Sequence, residues 1–204
     1  CRLYGIQQAL HGFAVRLRAM RLQKFRKCRF RSISGHTHFN VNVCFNDSLM
    51  EHNTAAVCGT WWRADINVDG TPRGYGVYEV DGNQVKWLYK SAGYPKEHQL
   101  HVYQAGSSDE YPSDIIANVW NWDEQWKVEW YENGKRMGEM QRYKGYDPAA
   151  KAICSDKEKV KYESISPVLT EHLFHATPRN KNAKIEVKVT DRFGNVYTEA
   201  VENK

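Results

Sequence analysis

Residues 32–43 read Ser-Ile-Ser-Gly-His-Thr-His-Phe-Asn-Val-Asn-Val, with His36 and His38 one residue apart behind Gly35. Neutral imidazole is a good ligand for zinc, manganese and iron. Two imidazoles at i and i+2 can serve one metal from the same side of an extended chain. On a turned backbone they can serve two metals about 3.5–4 Å apart, the separation used in two-metal hydrolysis. Gly35 is expected to supply a backbone conformation closed to other residues. By spacing alone, two surface histidines near a strand end are an equally good reading. His52, in Met-Glu-His-Asn, is a candidate hydrogen-bonding partner behind such ligands, or a structural histidine.

The elements that would hold these side chains are strands. Phe39, Val41, Val43 and Phe45 alternate with polar residues, which predicts a half-buried strand straight after the histidines. "NTAAVCGTWW" (53–62) predicts a second, covered strand, and "RADINVDGTPRG" (63–74) a polar loop. "GYGVYEVDGNQVKWLYKS" (74–91) predicts a β-hairpin turning at Asp81-Gly82-Asn83. Residues 94–112 form a connection, after which strands recur: "IIANVWNW", a hairpin folded at Asn133-Gly134, "HLFHATP", and a last hairpin turning at Phe193-Gly194-Asn195. Residues 145–163 are a polar excursion, partly helical. Short strands with turn signals between them predict an antiparallel β-sandwich.

Composition fits a globular chain with a core: 41% of its 204 residues are hydrophobic and 13% aromatic, which argues against disorder. No run approaches the roughly 18 apolar residues of a membrane span, so none is expected. The chain opens with Cys1 rather than Met, which reads as a fragment or a processed product. The five cysteines show no C-x-x-C spacing, which argues against a zinc knuckle. Cys44 and Cys58 read as small buried thiols, with a disulfide between them as the minority alternative.

Charge is unevenly spread. Residues 1–32 hold nine Lys and Arg and no acid, so the rest carries −4, the chain's +5 less those nine. A basic segment of this kind binds nucleic acid or an acidic membrane, or is a solvated tail. No stacking platform or nucleic-acid fold accompanies it, so nucleic acid is not expected as a partner.

With the histidines and strands in place, "SGHTHFNVNV" resembles the last motif, Gly-His-x-His, of the calcineurin-like metallophosphoesterases. The text from "EHNTAAVCGTWW" to "VKWLYKS", and the ending "VTDRFGNVYTEAV", resemble the subfamily that closes in a dedicated C-terminal β domain. The resemblance covers about residues 33–204. It implies a mainly β chain: the terminal strands of an αββα metallophosphoesterase core (33–92), then an antiparallel β-sandwich (93–204). It also implies that His36 ligates one divalent ion and His38 the other, the pair being manganese, iron or zinc in a full-length parent that hydrolyses a phosphoester. A periplasmic or exported location is implied in the same way.

The departures are as informative. The family's other ligand motifs, Asp-x-His, Gly-Asp-x-x-Asp and Gly-Asn-His-Asp/Glu, do not occur, and no carboxylate precedes Asp47. Histidines alone do not hold two dications together, so this chain is not expected to bind the metals stably or to be active alone. Residues 1–32 form an atypical basic segment, expected to be poorly packed and foreign to the family, as an out-of-frame reading would be. Cations in "FRKCRFRS" stand where a buried strand should lie, at a cost of several kcal/mol each if unpaired.

Other features have two readings each. Trp61-Trp62 is a substrate wall, or packing between the two parts. Trp120, Trp122, Trp126 and Trp130 suggest sugar stacking or, more simply, sandwich core. Glu171, His172 and His175 suggest a metal cluster, but on a strand the two histidines fall on opposite faces, so they read as structural. No G-x-S-x-G elbow or lysine-bearing phosphate loop occurs. The competing function is a non-enzymatic β-sandwich module that contacts a glycan or a protein.

Overall fold

In the computed structural model, residues 3–5, 30–46, 48–162, 164–180 and 182–202 are described. The first sheet is built from β1 (Leu3–Gly5), β2 (Phe30–Ser34), β3 (Val41–Asn46) and β4 (Leu49–Asn53), in the order β1-β2-β4-β3. β2 runs parallel to β1 and β4, whereas β3 is antiparallel to β4. Every residue of β4 is buried, including Glu51, His52 and Asn53. Buried polar groups must be hydrogen-bonded. Accordingly Ser34 Oγ donates to Glu51 Oε1 at 3.1 Å, and His52 Nδ1 pairs with Asn42 Oδ1 at 2.9 Å.

Phe30, Arg31 and Ser32, grouped by charge with the basic segment, belong to β2. Arg31 is half-buried there with its guanidinium carbon 6.0 Å from the Trp87 ring centroid, so an aromatic face receives the cation. Apart from Leu3–Gly5, the packing expected of the remaining basic segment lies outside the described residues.

The next hairpin forms as its turn residues predict. β5 (Gly74–Asp81) and β6 (Gln84–Ser91) pair along their length, with Gly82 at φ 53° in the turn. The run at 54–62 corrects the sequence reading: it is a series of turns, and the strand ends at Asn53. Gly59, Trp61 and Trp62 all have positive φ, which no strand accommodates. The Asn67 amide also fastens this segment, accepting from Ala56 N at 3.1 Å and donating to Ala56 O at 3.2 Å.

The remaining elements are β7 (His101–Tyr103), β8 (Ile115–Asn118), β9 (Lys127–Glu132), β10 (Lys135–Glu139), β11 (Gln141–Gly145), α1 (Pro148–Ser155), β12 (Thr170–Ala176), β13 (Lys184–Thr190) and β14 (Val196–Glu202). They make two antiparallel four-stranded sheets, β10-β9-β13-β14 and β11-β12-β8-β7. Ile115, Ala117 and Phe174 of one sheet meet Val128, Trp130, Ile185, Val187 and Val189 of the other in a single core. This is the expected β-sandwich, and the described chain is mainly β. Asn133 and Gly134 (φ 51° and 79°) form the two-residue turn between β9 and β10 that favours this residue pair. α1 begins where Asp147 caps it, accepting from Ala150 N at 2.9 Å, with Pro148 in the first turn.

Residues 33–92 are docked on the sandwich through both apolar and polar contacts. Ala55, Tyr89 and Trp120 form one small core, and Val68 joins Cys154, Val160 and Ile165 in another. Trp87 receives Phe193 edge-on at 4.9 Å and Arg192 over its face at 4.8 Å. The "polar loop" is itself buried: Asn67, Asp69 and Thr71 are each 0% exposed. Cys44 and Cys58 are half-buried free thiols with no disulfide between them, and Cys154 is buried and free.

Candidate functional site

The chain leaves β2 at Ser34 and re-enters the sheet at Val41, so Gly35–Asn40 is a loop at the strand's C-terminal end. Its turn is made by the histidines themselves, with φ 80° at His36 and 57° at His38. Gly35 is not at positive φ, and a Cβ there would meet nothing nearer than Thr54 O at 3.8 Å. The conformational role expected of Gly35 is therefore carried by two non-glycine residues. Left-handed backbone at such residues costs roughly 1–2 kcal/mol each and persists only where neighbours enforce it.

The neighbours are identifiable. From β4, Asn53 Nδ2 donates to Thr37 Oγ1 at 2.5 Å and to Phe39 O at 2.8 Å. Asn40 N donates to Asp69 Oδ2 at 2.7 Å, and Asn40 Nδ2 donates to Trp120 O at 2.6 Å. His38 Nδ1 lies 3.2 Å from Gly59 O, and Cys58 Sγ lies 3.6 Å from the same nitrogen. The Trp61 indole stacks on the His38 ring at 4.2 Å. His36 is exposed.

A carbonyl only accepts, so an Nδ1–H donated to Gly59 O leaves His38 Nε2 with a lone pair for a cation, as ligand histidines are commonly arranged. That much fits a metal ligand. The rest of a two-metal centre does not fit the described residues, among which no three His, Cys, Asp or Glu side chains are grouped to hold an ion. Two imidazoles without a bridging carboxylate do not fix a pair of dications.

His52 lies deep in the first sheet, bonded to Asn42 and boxed by Trp87 (4.5 Å) and Tyr78 (5.6 Å). Burial, and then the nearby Arg31 and Arg192, push its pKa down to about 3. Its hydrogen bond goes to Asn42, a residue of β3, and not to either loop histidine.

Trp61 and Trp62 are 44% and 73% exposed, so neither packs between the two parts of the chain. Trp120, Trp126 and Trp130 are buried in cores, and Trp122 is half-buried under the Arg142 guanidinium at 4.2 Å. His172 and His175 take opposite faces of β12, as read. His172 bonds Asn118 and Asp69, whereas His175 pairs with Asp114 at 2.6 Å under stacked Tyr111. Glu171 pairs with Lys144 instead of joining them.

Sequence reasoning missed Asn40, Asn53 and Asp69. Asp-Gly-Thr at 69–71 does carry a local signal. An aspartate that bonds its own backbone two residues on makes an Asx turn, and Asp69 Oδ1 accepts from Thr71 N at 3.1 Å.

A two-sheet β domain that follows a sheet bearing a histidine loop is the class that fold and site define. The model for the C-terminal region of calcineurin-like phosphoesterases matches residues 51–197, and the chain belongs to that family. His36 and His38 stand before the matched stretch. No curated protein and no solved structure matches the chain.

Proposed function

We propose that this chain is the C-terminal part of a metal-dependent phosphoester hydrolase, to whose centre it contributes His36 and His38. The single observation that carries the reading is the loop His36–Thr37–His38. It emerges at the end of β2 with both histidines at positive φ, and belongs to a chain of this family. Backbone strain held in place by buried hydrogen bonds is characteristic of sites where side-chain direction matters. Manganese, iron or zinc suits imidazole ligands, and the carboxylates that would bridge two such ions belong to the rest of the parent. By the same reading this chain alone is inactive.

The proposal includes a division of labour. Residues 33–92 close the catalytic core, and residues 93–204 are an accessory sandwich rather than a second catalytic unit. An exported location and a phosphoester substrate for the parent belong to the same reading and rest on the family. The test is to delete 93–204 from the full-length parent and assay bis-p-nitrophenyl phosphate hydrolysis with manganese. Reduced but metal-dependent turnover is expected. Full loss of metal binding, with the core still folded and the Asn40 amide still protected from exchange, would place ligands in the sandwich and overturn the division.

A further inference from the structure

We infer that the sandwich sets the geometry of the His36–His38 loop through one buried relay, His172–Asp69–Asn40, which makes His172 and Asp69 positioning residues for the candidate site. The inference rests on the reading of His36 and His38 as ligands. The relay begins on β12, where both ring nitrogens of His172 face oxygens: Nδ1 meets Asn118 Oδ1 at 2.7 Å and Nε2 meets Asp69 Oδ2 at 3.2 Å. Asp69 Oδ2 also accepts from Thr71 Oγ1 at 2.7 Å and from the backbone N–H of Asn40 at 2.7 Å. Asn40 is two residues past His38, and its side chain donates to Trp120 O of the sandwich. The loop is therefore tied to the sandwich twice through a single residue.

Burial makes these contacts consequential. Asp69 is 0% exposed, His172 3% and Asn40 4%, so water cannot replace a partner that is lost. A buried carboxylate needs its donors, and a bond to a charged group is stronger than one between neutral groups. On the other side, Asn53 holds Thr37 and Phe39 from β4. Left-handed His38 lies between the two residues that Asn53 holds, and left-handed His36 directly precedes the first of them. Asp69 and Trp120 grip the loop's far end at Asn40. The first sheet supplies one clamp and the sandwich the other, which gives the accessory domain a function in the site without placing any of its atoms there.

Glutamine and asparagine at position 172 separate positioning from simple packing, because the first mimics the Nε2 donor and the second the Nδ1 donor. Amide hydrogen exchange of the ¹⁵N-labelled full chain is measured for Asn40 and its loop neighbours, with Val187 of β13 as the reference for global opening. In His172→Asn the Asn40 amide should exchange faster than wild type, relative to Val187, by about tenfold or more, the loss of one bond to a charged acceptor. In His172→Gln it should return towards the wild-type rate. Rescue by asparagine but not glutamine, or an Asn40 rate that follows Val187 in both variants, would overturn the relay. The ligand reading is tested separately in the full-length parent, where His36→Ala and His38→Ala should each abolish metal-dependent hydrolysis. A parent indifferent to both would remove that reading, while the exchange rates in this chain still decide the relay.

Discussion

Gly70 lies so close to Asp147 that a Cβ added to it would fall 2.1 Å from the carboxyl carbon. Asp147 cannot retreat. It caps α1 and accepts from Tyr103 Oη at 2.9 Å and Asn118 Nδ2 at 2.8 Å, and its burial pushes its pKa up. Gly70 also sits at φ 82°, a conformation that strains any side chain. Gly70→Ala should therefore cost roughly 2–4 kcal/mol of unfolding free energy, read as a lower urea midpoint. Gly35→Ala should stay within about 0.5 kcal/mol of wild type, because that site is open and not left-handed. Equal losses at the two glycines would contradict this account of the docking.

His52 gives a dependence on pH. Its folded pKa of about 3 lies below its ordinary value of 6.5, so between those limits the unfolded state binds more protons than the folded state. Stability then rises with pH across the window and is lost as pH falls from about 6.5 towards 3. The slope attributable to this residue is at most about 1.4 kcal/mol per pH unit. His52→Gln should flatten that limb in urea titrations at pH 4, 5 and 6, whatever it does to stability at neutral pH. An unchanged slope would mean that the imidazole reaches water.

Trp62 is 73% exposed at φ 63°. Its side chain contributes little burial, and its backbone favours glycine. Trp62→Gly should leave thermal stability unchanged or raise it by up to about 1 kcal/mol. A loss of about 2 kcal/mol would show that the indole is packed in solution.

Much of the sandwich was legible because its signals are local. Asn133-Gly134 and Gly82-Asn83 carry turn chemistry, and the alternation in Lys184–Thr190 appears as inward Ile185, Val187 and Val189. The loop histidines were legible as a motif, and the end of β2 is where the structure places them. Two of the readings that failed did so because distant partners override local pattern. Ala55, Ala56 and Val57 resemble a strand by hydropathy, yet Asn67 and three left-handed residues fold that run into turns. Asn67, Asp69 and Thr71 resemble a solvated loop by polarity. One of their partners, His172, is 103 residues away in sequence, a separation no local pattern reports.

The central claim concerns His36 and His38, and metal-dependent hydrolysis of bis-p-nitrophenyl phosphate tests it most directly. In the full-length parent, His36→Ala and His38→Ala should each lower turnover by orders of magnitude with the fold retained, because two-metal hydrolysis needs both ions fixed at close range. This chain alone, with manganese or zinc added, should show none above background. Metal-dependent turnover by this chain that vanishes in His36→Ala would contradict the account, as would a parent indifferent to both substitutions.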